Sequence, residues 1–150
     1  MGPYQKGNGK LVRSTTLEYE NMLMTSKQYL IHGLDHVQIA IPCDSEVVAR
    51  KFYSKVLGLT EIPVPATLRH LGAIWFEHGS LRLHLGMDPE FHPARKAHPA
   101  LLVRGLDSLA KHLAVERIPI MEAEPIEGFR RFHVLDPFGN RIEFLEPDSS

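Results

Sequence analysis

The feature that most constrains this chain is a pattern of elements that occurs twice. LDHVQIAIP, rich in β-branched and aliphatic residues, reads as a strand stopped by Pro42. CDSEVVARKFYSKVLG then changes to helical spacing through Val48, Phe52 and Val56, with Asp44 or Ser45 as N-cap and Gly58 as the stop. LTEIPV is a short, proline-limited strand suited to a sheet edge, and GAIWFE and LRLHLG form a hairpin about HGS. After the polar connector MDPEFHPARK the order returns: AHPALLV as strand, LDSLAKHLAVER as helix capped by Asp107, then IPIM, RFHVL and RIEFLE as strands. DPFGN is the turn between the last two. Two βαβββ units over residues 34–86 and 97–146 make the fold class α+β, and such a tandem buries between its copies an interior that neither copy buries alone.

Length and charge bound the rest. The 150 residues suit one domain, which we place at residues 31–150. Residues 1–30, with Gly2, Pro3, Gly7 and Gly9 and no apolar targeting stretch, read as an unstructured leader or an expression scar. Seventeen basic against eighteen acidic residues leave a net charge of −1, with no attraction for nucleic acid or anionic membranes. No apolar run approaches the roughly 18 residues that cross a bilayer. A single cysteine, Cys43, forms no internal disulfide, so a cytoplasmic location is expected. There is no GxGxxG or P-loop pattern for dinucleotides or nucleoside triphosphates.

Polar residues on the core register of a half-buried strand need an explanation. Four qualify: His36 in LDHVQ, His84 in RLHLG, His98 in AHPAL and Glu143 in RIEFL. They stand in the first and last strands of the two units, His98 following His36 at nearly the offset by which Glu143 follows His84. Imidazole and carboxylate are the donors of Zn, Ni, Fe and Mn sites, and coordination removes the cost of burying a lone Glu. The four are the candidate metal ligands. Arg82 and Arg141 each lie two residues before a candidate ligand and share its face. One of Arg130 and Arg131 must point inward. These four arginines and Trp75 are the candidate substrate contacts, favouring an anionic group. His32, His70, His78, His92, His112 and His133 have no counterpart in the other unit and are expected on the surface or in loops.

The two βαβββ units, the placement of His36, His84, His98 and Glu143, and the segment DPFGNRIEFLE resemble the vicinal oxygen chelate superfamily. Its members include glyoxalase I, methylmalonyl-CoA epimerase, fosfomycin resistance proteins, extradiol dioxygenases and bleomycin resistance proteins. The resemblance runs over residues 34–147. It implies curved sheets around a cavity and a divalent metal held by first- and last-strand residues. His36 and His98 match the first-strand histidines and Glu143 the last-strand glutamate. His84 stands where some members have Glu or Gln, which departs from the glyoxalase I set.

The resemblance further implies a small substrate that chelates the metal through two vicinal oxygens, in a lyase or isomerase reaction. Glu143 is then the candidate proton shuttle, if it is not only a ligand. The alternatives are a metal-free drug-binding protein of the bleomycin-resistance type and a small extradiol-type dioxygenase. Chains of this kind commonly form homodimers, some building each metal site from two chains, and a homodimer is expected.

Overall fold

A computed structural model describes residues 6–7, 10–11 and 29–148. Lys6–Gly7 (β1) pairs antiparallel with Lys10–Leu11 (β2), and this ladder belongs to a different unit from the one that begins at Asp35. The leader expected over residues 1–30 otherwise lies largely outside the described residues.

From Asp35 onward the two expected modules are present. The first runs β3 (Val37–Pro42), α1 (Glu46–Arg50), β4 (Thr60–Ile62), β5 (Ala73–His78) and β6 (Leu81–Asp88). The second runs β7 (Ala100–Leu102), α2 (Leu106–Val115), β8 (Met121–Glu122), β9 (Phe129–Leu135) and β10 (Arg141–Pro147). Each builds a four-stranded mixed sheet of the same topology, β3-β6-β5-β4 and β7-β10-β9-β8. The first and last strands of each module pair in parallel, and the other pairs are antiparallel.

Register makes the repeat quantitative. Gln38, His84, Trp75 and Ile62 form one row across the first sheet, and Ala100, Glu143, His133 and Met121 form the corresponding row of the second. His36 and His98 each stand two residues before the first member of their row, on the same face. The opposite faces carry Ile39, Ile41, Ile74, Phe76, Leu83 and Leu85 in one module and Leu101, Phe132, Val134, Ile142 and Phe144 in the other. All are buried in a single core. The two ligand-bearing faces are thus the ones turned away from that core.

Three local features depart from the expected elements. Beyond Arg50 the first helix widens into a π-helix over Lys51–Val56. Val47 and Val48 are left exposed while Ala49, Phe52 and Tyr53 are buried. Ala66–Leu71, expected as loop, forms a 3-10 helix, and the strand expected at IPIM starts only at its last residue.

The α2 cap also differs. Gly105, at φ 84°, precedes the helix, and a side chain from β10 replaces the expected Asp107 cap: Glu146 Oε1 accepts from Gly105 N at 2.6 Å and Oε2 from Leu106 N at 3.3 Å. These backbone donors, Gly105 first, hold the Glu146 carboxyl below its usual pKa. Glu146→Ala is expected to lower the urea midpoint of unfolding with the slope unchanged, as the loss of an N-cap does.

Candidate metal centre

β10 places Glu143 between β7 and β9, directly opposite His133. Strand alternation, which sends Ile142 and Phe144 into the core, turns Glu143 to the other face. His98 enters from the segment before β7. One donor atom from each of His98, His133 and Glu143 lies within 4.8 Å of the others. Glu143 Oε2 is 3.0 Å from His98 Nε2 and 3.7 Å from His133 Nε2. The side chains are 24%, 13% and 8% exposed respectively for His98, His133 and Glu143, so the cluster opens to solvent on the His98 side.

Each group is arranged to offer a lone pair. His98 Nδ1 lies 2.7 Å from the Lys96 carbonyl oxygen, which only accepts, so Nδ1 carries the proton and Nε2 turns to Glu143. A ring nitrogen fixed by a backbone carbonyl is the usual support of a ligating histidine. His133 Nε2 is buried with no hydrogen-bond partner among the described residues, a cost that coordination would remove. Burial, the largest influence, and the nearby His98, Arg141 and Arg131 outweigh the attraction of Glu143 and push the His133 pKa down, favouring the neutral, ligand-competent ring. Burial pushes the Glu143 carboxyl up. Arg131, through its hydrogen bond and its charge, leads the influences that more than reverse this and hold it below its ordinary value.

The first module's face is built differently. His36 and His84 stack with ring centroids 4.1 Å apart and planes 23° apart, and Trp75 stacks on the other side of His84 at 4.0 Å and 3°. Ring planes so nearly parallel meet far beyond a metal–nitrogen bond of about 2.0–2.1 Å, so His36 and His84 as they stand do not aim at one ion. His84 is buried and its pKa is lowered, first by burial and then by His36. His36 Nδ1 is held by Asp35 Oδ1 at 2.9 Å, and Asp35 Oδ2 accepts from Arg82 Nη1 at 2.7 Å. The His36 hydrogen bond and the Arg82 charge hold the Asp35 carboxyl below its usual range.

The structure therefore divides the expected ligand set. His98 and Glu143 come together with each other, His36 and His84 come together with each other, and within one chain His36 and His84 do not join the second-module cluster. Trp75 is partly buried, stacked against His84.

Of the arginines, Arg130 points away from the cluster, to Asp107 at 2.9 Å and Glu146 at 2.6 Å. Arg131 points inward, to Glu143. Arg82 is tied to Asp35 at 2.7 Å and lies 3.4 Å from Glu77. Arg141 shares the face of Glu143 and pairs with no carboxylate among the described residues.

Two residues escape the sequence reading. His133 was expected on the surface or in a loop; it lies half-buried in β9 because it occupies the row position that Trp75 holds in the first module. A search for like residues at equivalent positions passes over a His matched to a Trp, whereas the strand alternation of FRRFHVL puts His133 opposite Phe132 and Val134. Asp35 was read only as the residue before a ligand. His32, His70, His78, His92 and His112 are exposed as expected. A cleft of about 400 Å³ between the modules, lined by Leu57, Leu59, Leu81, Leu101, Arg104 and Phe144 among others, includes none of the candidate ligands.

Comparison with known proteins places the chain. No family model and no curated protein matches it. Among solved structures it is similar to a glyoxalase family protein from Bacillus anthracis, with 41% identity and a TM-score of 0.77 over 80% of this chain and 98% of that one. It shares its fold with a glyoxalase/dioxygenase from Nostoc punctiforme, at 24% identity and TM-score 0.65 over 78% and 92% of the two chains. The fold is also that of the fosfomycin resistance protein FosX from Mesorhizobium loti, at 16% identity and TM-score 0.59 over 79% and 95%. With two curved βαβββ modules and this extent of identity, the chain belongs to the glyoxalase family of the vicinal oxygen chelate superfamily.

Proposed function

We propose that this protein is a metal-dependent, glyoxalase-like lyase or isomerase acting on a small anionic substrate that presents two vicinal oxygens. The observation that carries this reading is the convergence of His98, His133 and Glu143, with the unpartnered Nε2 of His133 aimed into it. A divalent ion there would supply Lewis acidity, stabilising negative charge as it develops on a substrate oxygen.

The chain's own groups then have distinct tasks. His98, held at Nδ1 by Lys96, and His133 each turn Nε2 to the cluster, and Glu143 offers Oε2. We assign Glu143 to the ligand role and not to the proton shuttle, because Arg131 fixes Oε1 and leaves Oε2 turned to the two histidines. Arg141 is the cation left to meet an anionic substrate, since Arg82 and Arg130 are occupied by carboxylates.

His36, with Nδ1 held by Asp35, makes no hydrogen bond through Nε2 among the described residues. It sits on a face that turns away from the shared core, as does the second-module cluster. In a homodimer that sets the first module of one copy against the second module of the other, His36 completes the site and the His84–Trp75 stack forms the facing wall.

Protein purified without added metal or a polyhistidine tag is expected to carry or take up about one equivalent of Zn, Ni or Mn per chain, measured by elemental analysis and titration. Uptake below about a tenth of an equivalent would sink the reading. A second reading has an observation of its own: two histidines and one carboxylate are the donor set of non-haem Fe(II) oxygenases. Selective uptake of iron, with dioxygen consumed on addition of a catechol, would move the assignment to ring cleavage.

A further inference from the structure

Each of the three guanidinium nitrogens of Arg131 makes a hydrogen bond within the protein. Nε and Nη2 donate to the Glu124 carbonyl oxygen at 3.0 and 2.6 Å, and Nη1 donates to Glu143 Oε1 at 2.8 Å. Only 14% of the side chain is exposed. β9 sets this up: Arg131 pairs across the ladder with Leu145, one step along the same face from the His133–Glu143 pair. The two oxygens of Glu143 are thereby separated, Oε1 facing Arg131 and Oε2 facing the nitrogens of His98 and His133.

We propose that Arg131 is a positioning residue, anchored on the Glu124 carbonyl, that binds Glu143 Oε1 and so reserves Oε2 for a divalent metal held with His98 and His133. The proposal rests on the reading that this cluster is a metal site. It removes Arg131 from the substrate contacts and gives it a role in the loop before β9 as well, because the carbonyl that anchors the fork belongs to Glu124. A planar fork holding a carbonyl with two nitrogens and a carboxylate with a third is a geometry that lysine does not reproduce. An unanchored carboxylate, by contrast, would be free to turn Oε1 or Oε2 to either histidine, and its ordering would then have to be provided by metal binding itself.

Co(II) serves as the probe in the full-length protein, with affinity from titration and coordination from the intensity of its visible absorption bands. Arg131→Met is expected to weaken Co(II) binding about 10–100-fold and to alter the bands, the usual consequence of losing a partner behind a ligand. Because Arg131 acts through Glu143, its loss should have little further effect once the carboxylate is gone: Glu143→Gln and the Arg131→Met/Glu143→Gln double variant should agree within about twofold.

Arg131→Lys, the variant to use if Arg131→Met does not fold, should fall between wild type and Arg131→Met. Unchanged affinity and spectrum in the Arg131 variants overturn the proposal. So does a full Arg131 penalty that persists in the Glu143→Gln background, which would mark a merely structural residue. No Co(II) uptake by the wild-type protein overturns the metal reading itself and the proposal with it, an outcome distinct from the other two.

Discussion

Replacing Asp136 by alanine is expected to cost about 3–5 kcal/mol of unfolding free energy, because several buried donors lose their acceptor at once, at about 1–3 kcal/mol for each group left unsatisfied. Asp136 opens the DPFGN turn, is 4% exposed, and accepts four hydrogen bonds. Oδ1 takes the backbone N–H of Phe138 at 2.9 Å and of Asn140 at 2.8 Å. Oδ2 takes the Tyr53 hydroxyl at 2.7 Å and the Asn140 amide at 2.9 Å. The same Asn140 amide donates to the Ala40 carbonyl in β3 at 2.9 Å. Tyr53 and Ala40 belong to the first module and the turn to the second, so one carboxylate ties the two together.

Alanine at 136 leaves four donors without their acceptor in a space too buried for easy hydration, while Tyr53→Phe removes only one bond to a charged group, worth about 1.5–3 kcal/mol. Urea unfolding of both variants checks the ranking, and a midpoint temperature lower by about 10 °C should accompany Asp136→Ala. A loss under about 1 kcal/mol for Asp136→Ala would show that the staple carries no stability.

That turn illustrates what a sequence makes legible. DPFGN reads as a turn because Gly139, at φ 89°, takes a conformation that other residues resist. Nothing local says that its aspartate receives a hydroxyl from residue 53, since a contact across 83 positions depends on how the modules pack. The same boundary runs through the site. Periodicity and turn residues are local, and they were enough for the two βαβββ units and for the sheet faces on which His36, His84, His98 and Glu143 stand.

Which of those faces meet is a tertiary property. His36 and His84 stack together because both stand on the first sheet, and the second sheet assembles its own cluster around Glu143. The alternation of FRRFHVL was sufficient to place Arg131 and His133 on one face. Their significance appears only when Glu143 is known to lie across the ladder from His133. The cap of α2 likewise comes from Glu146, forty positions further along the chain and invisible to a motif read around Asp107.

Mixing two defective chains is expected to restore metal sites that neither possesses. Both ligand-bearing faces turn away from the core within one chain, so His36 reaches the His98–His133–Glu143 cluster in our reading only from a second copy. His36→Ala spoils the first-module contribution and Glu143→Ala the second, each expected to weaken binding at least about a hundredfold, since each removes a ligand rather than its support. In a closed two-fold dimer, a mixed pair combines the intact first module of the Glu143→Ala chain with the intact second module of the His36→Ala chain, and so has one complete site and one doubly altered site.

Random pairing makes half of the dimers mixed, so about a quarter of wild-type sites should return at a metal concentration that saturates only complete sites. Purifying the mixed dimer by two different histidine-free tags should raise this to about half. A site contained within one chain gives a different result: the mixture then binds no more than the mean of its two components. Light scattering supplies the companion measurement, because a monomer mass at micromolar concentration would remove the partner on which complementation depends.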